Sequence, residues 1–315
     1  MKMKFIEDLK RELNKTNLSE TEKEEILNDF TEMVDEATDS GLEDNELENK
    51  FGSPEKLASE LASEYKEDSK PDAPSGDVFE FYPAEKYNVV IELLNEDIYI
   101  ETVNSEKIHI EAKRVRRLKD FDIKFENNTL YLLRPKKQYT EFFHFSRKSS
   151  FTLKLPNKFT INDFHFSNIN GDGNIKNISV EKGKFKVTNG DFDFSGSQFT
   201  NVEIDTINGD INMKEIKSNQ FKVSLVSGDM KLKNIDIDND LSINSVSGDI
   251  EVENTNCKQA LVRLVSGDLE GKEFYPQELS VRTVSGDVDI HNKQKDRRIE
   301  VIKKSSVSGD ISINQ

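Results

Sequence analysis

The sequence predicts a mixed chain of two parts. A small all-α N-terminal helical bundle is joined to a long all-β parallel β-helix, a solenoid with about 19 residues per coil. Three observations carry this reading. A Gly-Asp phrase recurs at near-constant spacing, apolar residues alternate on both sides of it, and the first 66 residues follow a helical period instead.

In the helical part, Phe5, Ile6, Leu9 and Leu13 of "FIEDLKRELNK" fall on one helix face. The next segment opens with Ser19 and Glu22, the spacing of a capping box, and carries Ile26, Phe30, Met33, Val34 and Ala37 as its inner stripe. Gly41 reads as its stop, and a short third helix covers Asp44–Lys50. "GSPEKLASELASEY" starts a fourth helix, with Ser53 at the N-cap, Pro54 at the first position, and Leu57, Leu61 and Tyr65 facing inward. Domain boundaries follow: helices over 1–66, a polar linker with two prolines over 67–75, and the β-domain over 76–315.

The recurring phrase is "INGD", "TNGD" or "VSGD". Its corners are Gly171-Asp172, Gly190-Asp191, Gly209-Asp210, Gly228-Asp229, Gly248-Asp249, Gly267-Asp268, Gly286-Asp287 and Gly309-Asp310. Four flanking columns are apolar. Two after each Gly stand Gly173, Phe192, Ile211, Met230, Ile250, Leu269, Val288 and Ile311, and four after stand Ile175, Phe194, Met213, Leu232, Val252, Gly271, Ile290 and Ile313. Five before are Phe166, Phe185, Ile204, Val223, Ile243, Val262 and Val281, then Lys304. Two before are Ile169, Thr188, Ile207, Val226, Val246, Val265, Val284 and Val307, and all four columns are expected to line the interior. Such a unit is too short for a helix plus two strands and suits one β-helix coil. The longer final interval, around "HNKQKDRR", is expected to loop outward.

Glycine at the bend permits positive φ, and the preceding Ser or Asn can bond nearby backbone. Stacked Asp carboxylates repel unless they accept hydrogen bonds from turn amides or hold cations. One consistent acid per coil favours the structural role for these corners over a metal site.

The stretch from Gly76 to Ile161 reads as earlier, less regular coils. Within it, "RPKKQYTEFFHFSRKSS" places Phe142, Phe143 and Phe145 beside Lys136, Lys137, Arg147 and Lys148, with Arg114, Arg116 and Arg117 upstream. This segment either caps the open end of the β-helix or forms a loop that contacts an anionic membrane surface or envelope ligand.

Charge and composition narrow the function classes. The net charge is −16. Residues 1–70 hold 10 Lys/Arg against 21 Asp/Glu, while 113–148 hold 11 against 4. The overall acidity and the lack of a nucleic-acid-binding signature exclude nucleic acid as a partner. One cysteine, Cys257, allows no internal disulfide, and the four histidines show no metal-ligand spacing. No run is long and apolar enough for a transmembrane helix, and "MKMKFIEDLKRELNK" does not read as a secretory signal. A cytoplasmic protein, membrane-associated or not, is expected; the alternative is a cell-surface protein exported without a signal peptide. Uniform corners without clustered acids, bases or nucleophiles predict no catalytic residues and no cofactor.

Two resemblances add to this. The order of a Glu-rich helix, a Gly stop and then Gly52, Ser53, Pro54, Leu57 and Ala58 resembles the HAAS signalling domain. The repeated "VSGDI" with the upstream "LKLPNKF" strand resembles the DUF4097 family of adhesin-like β-strand-repeat proteins. HAAS followed by DUF4097 is similar to the LiaX-type envelope-stress proteins of Gram-positive bacteria. The resemblance implies a non-enzymatic regulatory protein that senses or signals cell-envelope stress, holding a protein partner through the acidic helical domain. The alternative is a surface adhesin-like β-helix that binds a polymer.

Overall fold

The computed structural model describes residues 2–39, 46–68, 77–115, 118–134, 149–294 and 296–314. The chain divides into two compact units; described residues to 68 lie in the first, and 77–134 and 149–314 in the second.

The first unit contains α1 (Lys2–Leu13), α2 (Glu20–Asp39), α3 (Leu47–Phe51) and α4 (Pro54–Asp68). The capping box forms at α2: the Ser19 amide donates to Glu22 Oε2 at 2.7 Å, and the Glu22 amide donates to Ser19 Oγ at 3.3 Å. At α4 the Lys56 amide donates to Ser53 Oγ at 3.3 Å. Phe5, Leu9, Leu13, Ile26, Phe30, Val34, Leu57 and Leu61 share one apolar cluster, which also takes in Leu47 and Phe51. The third helix spans Leu47–Phe51, and Asp44 and Asn45 of its expected range lie outside the described residues. Gly41 and the side chains of Met33, Ala37 and Tyr65 lie outside the described residues.

The second unit begins with β1 (Asp77–Phe81), β2 (Lys86–Glu92), β3 (Asp97–Val103), β4 (Ile108–Lys113), β5 (Asp122–Glu126), β6 (Thr129–Leu133) and β7 (Ser150–Pro156). It continues with β8 (Thr160–Asn170), β9 (Gly173–Lys176), β10 (Ser179–Asn189), β11 (Phe192–Ser195) and β12 (Gln198–Asn208). Long strands β13 (Ile211–Ser227), β14 (Met230–Ser245), β15 (Ile250–Leu264) and β16 (Leu269–Ser285) follow, then β17 (Val288–His291), β18 (Glu300–Ser308) and β19 (Ile311–Asn314).

From β8 onward each coil stacks in parallel on the one before. Phe166, Phe185, Ile204, Val223, Ile243, Val262, Val281 and Lys304 pair successively in register. Below β8 and β9 lies the coil made by β2 and β3, and below that lie β6 and β7. Stack order therefore departs from chain order. The expectation of further coils throughout 76–161 is corrected here, because three neighbouring pairs are antiparallel: β1 with β4, β4 with β7, and β5 with β6. The β5–β6 turn has Asn127 and Asn128 at φ 50° and 57°, the conformation of a type I′ hairpin, which reverses the strand instead of winding it. Phe121 packs 5.3 Å from Phe151 and Phe81 lies 6.1 Å from Phe125, so aromatics from these segments cover the core at this end.

Three of the four expected interior columns are interior. The column two before each Gly is not: Ile207, Val226, Val246, Val265 and Val284 are 45–48% exposed, and Val307 is 81% exposed. The physical reason is parity. Successive strand side chains point to opposite faces, so a column five before the Gly shares its face with the column three before, not two. Val187, Thr206, Leu225, Ser245, Leu264 and Thr283 occupy that inner column and are buried. Lys304 departs from its column too, because it lies in a strand whose nine residues are all exposed.

Inside, volumes complement between coils. A Cβ on Gly173 would lie 2.0 Å from the Phe192 ring above it, and one on Gly271 would lie 3.1 Å from Ile290. Outside, a second corner runs in file with the first. Asn177, Gly196, Glu215, Asn234, Asn254 and Glu273 all have φ between 48° and 61°, six residues after their respective corner glycines. Asn and Gly tolerate this left-handed conformation, whereas Glu does not favour it. Glu215→Asn is therefore expected to raise stability by about 0.5–1 kcal/mol in urea melts. Gly209→Ala is expected to lower it by about 2–4 kcal/mol, since φ is 127° and the added Cβ would lie 2.1 Å from the Gly190 carbonyl oxygen.

Candidate functional site

The corner joins a positive-φ glycine to an Asp whose carboxylate reaches the next coil. The Asp191 amide donates to Asp172 Oδ1 at 3.1 Å, and Asp210, Asp229, Asp249, Asp268, Asp287 and Asp310 repeat the bond upward at 2.7–2.9 Å. The file begins one coil earlier than the phrase does. The Asp172 amide donates to Asp97 Oδ1 at 2.9 Å, although 75 residues separate the two in sequence. Asp97 ends the triplet Asn95-Glu96-Asp97, a corner without glycine that the sequence reading did not find.

These bonds account for a row of like charges. Two carboxylates about 4.8 Å apart repel by roughly 0.9 kcal/mol in water. A hydrogen bond to a charged acceptor contributes about 1.5–3 kcal/mol, so the amide outweighs the repulsion. A second ladder explains why some phrases carry Asn. Asn170, Asn189 and Asn208 each donate from Nδ2 to the Oδ1 of the Asn one coil below, starting at Asn95, over 2.7–2.8 Å. From Ser227 upward the side chain at this position is too short to span a coil.

Beside the Asp file runs the exposed aliphatic file of Ile207, Val226, Val246, Val265, Val284 and Val307. At about 4.8 Å per coil it is about 24 Å long. On the same outward face, Glu203 accepts from Lys184 at 2.7 Å and Lys222 at 2.6 Å, and these bonds hold its carboxyl down at about 2. Burial pushes the Cys257 thiol up to about 12, which leaves it unreactive at neutral pH. No group of three or more His, Cys, Asp or Glu that could hold a metal ion occurs among the described residues. In the helical unit, α1 and α4 border an open cleft of about 390 Å³ lined by Glu12, Lys15, Asn17, Glu55, Ala58 and Ala62.

The candidate contact residues Lys136, Lys137, Phe142, Phe143, Phe145, Arg147 and Lys148 lie outside the described residues, as do Arg116 and Arg117. Arg114 is described and sits at φ 57°.

The family comparison follows this architecture. The Toastrack DUF4097 family model matches residues 87–256 and 239–315. The chain belongs to the Toastrack DUF4097 family. A HAAS model matches residues 4–60, which places that domain on the helical unit. The chain is similar to several solved structures at low identity. A "Putative lipid binding protein" from Parabacteroides distasonis ATCC 8503 is 14% identical at a TM-score of 0.51, with 77% of this chain and 98% of that one covered. A "putative adhesin" from the same organism is 11% identical at 0.46, covering 76% and 98%. Another "putative adhesin", from Bacteroides fragilis NCTC 9343, is 15% identical at 0.43, covering 76% and 99%. No curated protein matches the chain. Among the described residues, no helix is long and apolar enough to cross a membrane.

The Toastrack corner makes Asp229 an acceptor for the next coil. Asp229→Ala removes an acceptor and is expected to lower stability by about 1 kcal/mol, while Asp229→Asn keeps an acceptor oxygen and leaves stability within about 0.5 kcal/mol. If both variants fall equally, the negative charge itself is needed. For Glu203, a folded pKa depressed from 4.5 to about 2 means the stabilisation is fully present above pH 4.5 and lost as pH falls towards 2. The stability gap between the native chain and Glu203→Gln, at most about 1 kcal/mol for so exposed a pair, should close over that window.

Proposed function

We propose that this protein acts by binding rather than by catalysis, as a regulatory interaction protein in the sensing of cell-envelope stress. The Toastrack solenoid presents a straight recognition face, and the acidic HAAS unit holds a second protein. The observation that carries the reading is the exposed aliphatic file. The interior is already filled by the columns three and five before the glycine, so the fold has no need of apolar side chains two before it. Long rows of exposed apolar groups rimmed by polar ones mark contact surfaces. The HAAS match and the cleft between α1 and α4 support the helical unit as the partner-holding part.

The test replaces Val226, Val246 and Val265 together with Thr, which keeps β-branching while removing apolar surface. The triple variant should fold with unchanged circular dichroism yet lose induction of an envelope-stress reporter by a cell-wall-active antibiotic. An unchanged reporter response in that variant, and in a strain lacking the protein, would remove the signalling role.

A second reading is a surface protein whose solenoid binds a polymer. The descriptions of the similar structures as an adhesin or a lipid binding protein favour it, and so does the same exposed file. Cell fractionation separates the two: recovery outside the membrane supports the surface reading, and recovery inside supports signalling.

A further inference from the structure

The last coil carries an excess of cations in an acidic chain. Residues 292–308 contain six Lys/Arg, namely Lys293, Lys295, Arg297, Arg298, Lys303 and Lys304, against Asp296 and Glu300, in a protein of net charge −16. The described residues before β18 are anchored. Asn292 grips the Phe274 backbone in both directions at 2.9 and 2.7 Å, the Gln294 amide donates to Tyr275 Oη at 3.0 Å, and the Arg297 guanidinium stacks 4.2 Å over the Tyr275 ring.

The cations beside it are gathered at one end of the stack. On the flanks some lysines are neutralised by carboxylates, Lys86 by Glu181, Lys184 and Lys222 by Glu203, and Lys233 by Glu253, while Lys182, Lys186, Lys217 and Lys231 are exposed without an ion-pair partner among the described residues. Arg298 and Lys303 are exposed and have no ion-pair partner among the described residues, and Lys293, 92% exposed, reaches Glu273 only at 3.8 Å. Lys304 stands in register above Val281 in an otherwise apolar column and donates from Nζ to the Ile311 carbonyl. A positive charge therefore crowns the hydrophobic ladder. Among these cations Val301, Ile302 and Val307 are 39%, 56% and 81% exposed.

We propose that this end of the solenoid, rather than its flank, docks on an anionic lipid bilayer. Unpaired cations around exposed aliphatics match a surface of phosphate head groups over acyl chains. The corner that carries the file of Asp carboxylates would be repelled by such a surface. The proposal stands apart from the signalling reading, because it requires no protein partner.

The experiment is co-sedimentation of the full chain with vesicles of phosphatidylcholine alone or mixed with phosphatidylglycerol, at low and high salt. Three variants are compared: Arg298→Glu with Lys303→Glu, Val301→Ser with Ile302→Ser, and Phe142, Phe143 and Phe145 all to Ser. Native protein should bind only the mixed vesicles, with binding weakened by salt. The charge reversals should reduce binding at least about ten-fold, with unchanged circular dichroism, since each basic residue near an anionic surface is worth about 1 kcal/mol. The serine pair at 301 and 302 should reduce it measurably at both salt concentrations.

Absence of native binding to the mixed vesicles overturns the proposal. So does native-level binding by the charge-reversed variant, or loss confined to the triple Phe variant, which assigns the contact to the 134–150 segment. If charge reversal instead dissolves a self-associated native protein in analytical ultracentrifugation while vesicle binding persists, the end fits the acidic helical unit of a second copy, and the lipid assignment fails.

Discussion

The solenoid depends on how closely its backbone stacks at the Gly-Asp corner. Each glycine nitrogen and carbonyl lies so near the glycine of the adjacent coil that a Cβ would come within 1.8–2.4 Å of a carbonyl oxygen from Gly190 upward. That approach brings the next Asp amide within reach of the carboxylate below it. A side chain at the glycine would lift the coils apart and break the carboxylate bond, so residue identity at both positions follows from one distance. The inner columns are under a looser constraint. They accept Phe, Ile, Met, Val or Leu provided that a large residue meets a small one, as Phe192 meets Gly173.

This difference explains which features could be read from the sequence. The eight corners were legible because close backbone approach admits only glycine, and the period followed from them. The starting corner at Asn95-Glu96-Asp97 was hidden for two physical reasons: its glycine position holds Glu96, and 75 residues, including the β6–β7 coil that stacks below it, intervene before Gly171 settles above it. The second corner gave a partial signal in Asn177, Gly196, Asn234 and Asn254. Glu215 and Glu273 interrupted it, because the left-handed conformation there is imposed by the coils on either side. The antiparallel pairs around β4 and β5 were missed since alternation alone does not distinguish winding from reversal. Asn127-Asn128 was the available clue.

The outward Val file was legible as apolar and misplaced by one residue of phase. In a strand, apolarity and burial are separate properties, and only the phase against a known inner column tells them apart. The candidate contact segment at 134–150 had the opposite character. Its basic and aromatic composition was plain, yet neither period nor spacing tied it to any coil.

The rows differ in what holds them regular. Glycine is repeated because backbone approach demands it, and Asp because an amide one coil away needs an acceptor. Asn is repeated only while its amide can bond another Asn, and it gives way to Ser at 227. The Val file is nearly invariant from 226 to 307, although no such demand acts on a half-exposed side chain there. β-Branched residues do favour stacked strands, but Thr or Tyr would serve that purpose in an exposed row, and Thr188 does so at the start of the series. Regularity that stacking does not require, on the face least able to use it for stability, is the signature expected of a surface selected for what it touches.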